Sequence, residues 1–223
     1  MSNVINCKPA VVIHSCDKYS WILPEFFSHF NKHFPFELGW PVYFCNEEAD
    51  ILTTAKHIKA GTGSWSVRLK YILEMIEEKD ILYIQEDFFL QYCNVEWLQK
   101  AADLHMRHKS NITKLGSNYE FTLTGPFMDI EFGPHASAEL PIYIQESGLY
   151  MMSHQPVAIF NKEFLLSTLT EDCGPSEHEI NTSKKMQGMI KPPICIGQVF
   201  CPNKSQIFTI HHAIYKGIYC PIS

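Results

Sequence analysis

The sequence predicts an α/β fold, a mostly parallel central sheet flanked by helices with a small antiparallel addition. Two observations carry this. Ala10-Val11-Val12-Ile13 and Ile81-Leu82-Tyr83-Ile84 are short, bulky, apolar runs suited to strands buried on both faces. Helical stripes separate such runs from the amino terminus onward, the β-α-β succession that builds a parallel sheet. A chain of 223 residues is long enough for one large domain with its own core and short for two.

Taken in order, the first strand, Ala10 to Ile13, closes in the polar turn His14-Ser15-Cys16-Asp17-Lys18-Tyr19. Trp21, Ile22, Phe26, Phe27 and Phe30 then follow a helical stripe, which Pro24 tolerates in the first turn. Pro41 to Cys45 reads as a second strand, and Asp50 to Ile58 as a weaker strand or connector. After the flexible Gly61-Thr62-Gly63 loop, Ser64 caps a helix whose Trp65, Leu69, Ile72, Leu73 and Ile76 keep the 3.6-residue period. That helix leads into the run from Ile81.

Beyond Leu90, Val95, Leu98, Ala101, Ala102 and His105 form another amphipathic helix, capped by Asn94. Residues 110–150 mix short β-like pieces with Gly and Pro turns, which predicts antiparallel strands and loops over one end of the sheet. Pro156 to Phe160 is apolar again, Asn161 caps a short helix from Lys162 to Leu169, and Ser176-Glu177-His178-Glu179 fits a capping box opening a helix to about Gln187. Ile194 to Phe200 and Ile207 to Ile210 complete the apolar runs, the latter ending in His211-His212.

Composition removes several classes of function. A net charge of -6 argues against a nucleic-acid partner, which calls for a basic surplus. No apolar run approaches the roughly 18 residues that span a bilayer, and the start lacks a basic, then apolar, leader, so the chain reads as soluble and cytoplasmic. The eight cysteines are scattered singly without a CxxC pair, which favours reduced, buried thiols over disulfides or a zinc site.

The chemistry concentrates where strands end, since open α/β sheets bind ligands at the carboxyl ends of their strands. Glu86-Asp87 closes the run from Ile81 there, placed to hold a cation that carries phosphates. Asp87 is the first choice for the metal, and Glu86, pointing to the other face, is left for the sugar or a cation. A solvated acidic turn is the bland alternative. His14, Asp17 and Tyr19 are candidate base and ribose contacts, and Arg68 and Lys70 face a diphosphate if their helix starts beside the site.

Glu177 and Glu179 are candidate catalytic bases. Glu179, as the last residue of the capping box, would be occupied by the backbone of Ser176, which favours Glu177. His211 and His212 are candidates to complete the metal site or hold a phosphate, with Lys216 supplying charge to a leaving diphosphate.

Several stretches together resemble small glycosyltransferases of the GT-A fold, a Rossmann-related architecture, of the kind found in bacterial surface-polysaccharide clusters and large algal viruses. They are Ser15-Cys16-Asp17-Lys18-Tyr19, Gly63-Ser64-Trp65-Ser66-Val67-Arg68-Leu69, Leu82 through Leu90, and Ser153-His154-Gln155-Pro156-Val157-Ala158-Ile159-Phe160 followed by Pro175-Ser176-Glu177-His178-Glu179. The ending Tyr215-Lys216-Gly217 is also similar.

The resemblance implies transfer of a sugar, with inversion, from a nucleoside-diphosphate donor, uridine-based, to a glycan or polysaccharide hydroxyl, with Mn2+ or Mg2+ at Asp87. It adds Ser15 and Trp65 to the donor contacts, and implies a nucleotide-binding half over about residues 1–93 and an acceptor half over about 94–223. The chain departs from the family's D-x-D motif, with Gln85 where the first acid stands. In the late motif Glu179 matches the acid the family usually keeps. Two other readings stay open: a nucleotidyltransferase, for which the first turn lacks the Gly-rich basic loop, and a catalytically silent nucleotide-sugar-binding domain.

Overall fold

The computed structural model describes residues 8–118, 142–145, 152, 157–189, 193–198, 207–215 and 217–222. Its main sheet has eight strands in the order β3-β2-β1-β4-β9-β6-β10-β8. These are β1 (Ala10–His14), β2 (Val42–Asn46), β3 (Lys56–Lys59), β4 (Asp80–Gln85), β6 (Ile112–Lys114), β8 (Ile142–Gln145), β9 (Val157–Asn161) and β10 (Cys195–Gln198). The run β3-β2-β1-β4 is wholly parallel, while β9 is antiparallel to both β4 and β6. β4 and β6 therefore run the same way, and the ends of β1, β2, β4 and β6 open on one edge of the sheet.

The apolar runs are buried for a simple reason: helices cover both faces. Val11, Ile13, Leu82, Ile84 and Ile159 pack with α1 (Leu23–His33) and α3 (Val95–His108). Val12, Ile81, Tyr83 and Phe160 pack with α2 (Trp65–Met75), α4 (Lys162–Thr168) and α5 (Pro175–Gln187). Successive strand residues alternate between these two cores, the pattern of a central strand with no wet face. The caps expected from sequence are present: Ser64 accepts from Val67 N, Asn94 from Trp97 N and Asn161 from Phe164 N. Pro24 sits in the first turn of α1. Cys16, Cys45, Cys93, Cys173, Cys195 and Cys220 are free thiols.

Two expectations are corrected. The smaller sheet does not come from residues 110–150 alone. It joins β5 (Phe88–Cys93), β11 (Phe208–His212) and β7 (Gly116–Asn118), with β11 antiparallel to β5 and parallel to β7, while β6 and β8 enter the main sheet. After the expected strand β4 the chain goes straight into β5, and Glu86-Asp87 is the step between sheets. Finally, Ser176 does not cap α5: Gly174 is the N-cap, Pro175 opens the helix, and no side chain makes the cap bond. Proline prefers the first helical positions, where its missing N–H costs nothing, so it moves the start forward and dissolves the capping box.

Candidate functional site

Four loops converge at the carboxyl edge of the parallel strands. The turn after β1 begins with Cys16, whose thiol donates to Glu86 Oε1 at 3.9 Å. From there Asp17–Ile22 forms a 3-10 turn. Asp17 accepts from Asn46 Nδ2 at 2.7 Å, Glu48 N at 3.0 Å and Ala49 N at 2.9 Å, while its own N–H donates to Glu47 Oε2 at 2.8 Å. Burial pushes the Asp17 carboxyl up, yet these main-chain and amide donors outweigh it and hold its pKa below the ordinary value. Its role here is to lock the loop after β2 against the loop after β1.

Arg68, in the first turn of α2, is buried and closes the same network. Nη1 donates to Glu47 Oε1 and to the carbonyl of Gly63, the latter at 3.2 Å. Its Nε is buried and makes no hydrogen bond among the described residues. Gly63 is at φ +150, and a Cβ there would meet Val67 Cγ1 at 3.3 Å, so the loop can deliver its carbonyl to Arg68 only as glycine.

Behind this lies an aromatic relay. Trp65 Nε1 donates to Tyr83 OH at 2.9 Å, Tyr83 OH is 3.0 Å from His14 Nδ1, and the Trp65 indole stacks with His14 and tilts against His178. The relay fixes two sequence-predicted residues, His14 and Trp65, through Tyr83, which the sequence places only in a buried strand, and His178, which it places only within the capping box. Ser15 is buried, with its hydroxyl on the Cys16 carbonyl, and the Tyr19 ring lies under Lys18 Nζ at 5.3 Å.

The acidic step itself is asymmetric. Glu86 is 6% exposed and its pKa is pushed up to about 8, chiefly by burial and next by the charge of Asp87, with the Cys16 N–H and Arg68 opposing. Asp87 is more open and accepts from His212 Nε2 at 3.0 Å, and its carbonyl accepts from Ala213 N at 2.7 Å. His212 lies along the Phe88 ring. His211, one residue away on β11 and so on the opposite face, has its Nε2 on the Cys220 carbonyl at 2.6 Å. Only His212 of the pair reaches Asp87. Among the described residues no group of three or more His, Cys, Asp or Glu side chains is arranged to hold a metal ion.

The two base candidates separate clearly. Glu177 is exposed in the first turn of α5, whereas Glu179 is 5% exposed. Across the sheet, Lys114 ends β6 level with Tyr83, both in register with Ala158. Burial lowers its pKa to about 8, and the charges of Cys195 and Glu179 partly restore it. Sequence reasoning passed over Lys114 because a lysine inside a three-residue strand carries no motif; its place at a strand's carboxyl end was the available signal. Lys216 lies outside the described residues, as do Ser153 to Pro156.

No protein-family model and no curated protein matches the sequence. Solved structures match in fold. TarS 1-349 from S. aureus in complex with UDP is 13% identical, with a TM-score of 0.50, over 85% of this chain and 60% of that one. The mannosyltransferase PcManGT from Pyrobaculum calidifontis in complex with GDP-Man and Mn2+ is 12% identical, with a TM-score of 0.50, over 86% of this chain and 57% of that one. A cytidylyltransferase from Leptospira borgpetersenii also matches, at 11% identity, a TM-score of 0.46, and 79% and 70% coverage. The chain spans about three fifths of the length of the first two. Its mixed, mostly parallel sheet with flanking helices and a smaller second sheet is the GT-A type of architecture.

Proposed function

We propose that the chain is an inverting glycosyltransferase that moves a sugar from a nucleoside-diphosphate donor, uridine-based, to a hydroxyl of a glycan acceptor. The observation that carries this reading is the adjacent, unequal carboxyl pair Glu86-Asp87 at the carboxyl end of β4, with Glu86 held protonated to about pH 8. A buried carboxyl beside a second, half-buried one is poorly compensated, and a divalent cation removes both the repulsion and the burial penalty.

The donors present fit such an ion. They are hard carboxylate oxygens, and a nucleotide's cation takes one or two from protein and the rest from phosphate and water, so a third protein ligand is not required. Asp87, oriented by His212, would be the principal ligand, with Glu86 beside it. The ion, Mn2+ or Mg2+, would supply positive charge to the departing diphosphate.

The chain's own residues do the remainder. His14, Ser15 and Tyr19 line the end of β1 where the nucleoside is received, and Arg68 presents a guanidinium from the first turn of α2. Glu179 accepts the proton of the acceptor hydroxyl. Its burial and the neighbouring Lys114 favour it over exposed Glu177, reversing the sequence preference, which rested on a capping box that does not form.

The reading is tested by a thermal-shift screen of nucleoside diphosphates with and without Mn2+, on the native chain and on Asp87→Ala, followed by turnover of the matching nucleotide sugars. A Mn2+-dependent shift with uridine diphosphate that Asp87→Ala abolishes is expected. No shift with any nucleoside diphosphate in the native chain overturns the reading.

A further inference from the structure

Trp21 is 55% exposed, yet its indole is pinned edge-on against Tyr219, ring centroids 5.2 Å apart at 76°. Tyr219 is fixed in turn, its hydroxyl donating to the Glu25 carboxylate in the first turn of α1. Ile218, 68% exposed, stands beside it in the hairpin of β12 (Ile214–Tyr215) and β13 (Ile218–Tyr219). The result is a small shelf, aromatic on top and with a carboxylate at its margin, that the fold leaves in water. Isolated apolar side chains on a surface need no explanation, but an exposed aromatic pair in contact, one ring of it anchored to a carboxylate, does.

The shelf's position ties it to the acidic step on both sides. Trp21 belongs to the turn that begins after Cys16, the residue that touches Glu86. Because α1 starts where β1 ends, Trp21 and Glu25 lie at the carboxyl edge of the sheet. The hairpin bearing Tyr219 hangs directly from Asp87: Ala213 N donates to the Asp87 carbonyl at 2.7 Å, and Cys220 N donates to the Ala213 carbonyl at 2.7 Å. His211 Nε2 clamps the far side of the hairpin through the Cys220 carbonyl. His211 thus holds the shelf in place instead of adding a metal ligand.

An exposed indole set edge-to-face on a tyrosine that carries a carboxylate at its hydroxyl matches one chemistry well. A pyranose ring offers an apolar C–H face to stack on the indole and equatorial hydroxyls to donate to the acid. A nucleic-acid strand is disfavoured by the carboxylate and by the net charge of -6. We propose that Trp21 and Tyr219, with Glu25, form a saccharide-binding platform that receives the acceptor glycan beside the acidic step. The proposal rests on the glycosyltransferase reading for its location, and it names the acceptor class as a carbohydrate bound by ring stacking.

Saturation-transfer NMR and Trp fluorescence on the native chain, with trisaccharides of glucose, mannose and N-acetylglucosamine in α and β linkages, test it. At least one trisaccharide is expected to bind and to quench emission. Trp21→Ala should weaken that binding about tenfold or more, while Tyr219→Phe, which keeps the ring and frees Glu25, should weaken it less. The uridine diphosphate shift is measured on the same variants. If it persists in Trp21→Ala while saccharide binding is lost, platform and donor site are separate, as proposed. Absence of the shift from the native chain defeats the glycosyltransferase reading, whereas unaltered trisaccharide binding in Trp21→Ala, or no binding by any trisaccharide, defeats the platform. If sedimentation shows a native dimer that Trp21→Ala converts to monomer, the shelf belongs to a second copy of the chain and the proposal falls.

Discussion

His212 Nε2 stands 3.0 Å from Asp87 Oδ2, joining two residues 125 positions apart in the chain. A carboxylate only accepts, so the imidazole donates through Nε2. The contact exists because β11 pairs with β5 and places His212 opposite Phe88, whose ring supports the imidazole at 4.6 Å. Removing it should leave Asp87 in place but free to rotate. His212→Ala is therefore expected to raise the Mn2+ concentration needed for the uridine diphosphate thermal shift by about 10- to 100-fold, as losses of an orienting partner commonly do. Identical Mn2+ midpoints in the two proteins would show that the imidazole does not orient the carboxylate.

Glu86 makes stability depend on pH in a definite direction. Its ordinary value is 4.5 and its folded value, without a cation, is about 8, raised by burial and then by Asp87. Between the two the folded state holds a proton the unfolded state has released, so stability falls as pH rises through this window and levels above it. The fall should be on the order of a few kcal/mol. Urea midpoints at intervals from about pH 5 to 8 measure it, and Glu86→Gln should flatten the curve, as should saturating Mn2+. A native curve that rises with pH across the window would contradict the assignment.

Glu179 and Glu177 differ by half a helical turn and by burial, and their substitutions should separate accordingly. Glu179→Gln removes the carboxylate without changing shape, and transfer is expected to fall by about 10²–10⁴-fold with the nucleotide shift retained. Glu177→Gln, altering an exposed side chain, should change kcat by less than about threefold. The reverse pattern in kcat would return the role to Glu177.

A second polar cluster lies at the opposite end of β4 and serves packing. His105 bridges Thr113 Oγ1 at 2.8 Å and Asp80 Oδ1 at 3.3 Å, and Asn161 Nδ2 also reaches Asp80. Thr113 is wholly buried, so this Thr-His-Asp grouping has no route to a substrate. His105→Ala vacates a buried ring and strands two polar partners, at about 2–4 kcal/mol. A Tm lower by about 5–15 °C is expected, with a uridine diphosphate shift of unchanged size on top of it. An unaltered Tm would mean the cluster does not stabilise the fold.

The legibility of these features follows their range along the chain. Strands β1 and β4, helix α2 and the caps at Ser64, Asn94 and Asn161 are local: alternation, period and a single side-chain oxygen define them. The pairing of β11 with β5 is not local, and the sequence therefore assigns no strand to Phe88–Cys93. The start of α5 was misplaced because two helix-start signals overlapped, Pro175 at N1 and the S-x-x-E pattern, and the backbone can obey only one. The acidic step was found because consecutive carboxylates after an apolar run are visible without knowing the fold. Lys114, Tyr83 and Glu47 were not, since each acts only through a neighbour that the sheet brings from elsewhere.

Arg68 shows how such a neighbour sets a role. Its Nη1 is taken by Glu47 and the Gly63 carbonyl, while Nε is buried and unbonded among the described residues, a costly state for a guanidinium N–H. Lysine would keep the charge but not the planar, pre-organised guanidinium whose Nη1 serves Glu47 and Gly63 together. Two losses should follow from Arg68→Lys. The loop between β2 and β3, held through Glu47 and Asp17, should loosen and protect its amides less against hydrogen exchange at Glu48 and Ala49, whose N–H groups Asp17 receives. Uridine diphosphate should bind about tenfold more weakly, because the charge proposed to face its phosphates is no longer fixed at the start of α2. Weaker binding with protection intact would make Arg68 a direct phosphate contact alone, and protection lost with binding intact would confine it to the loop.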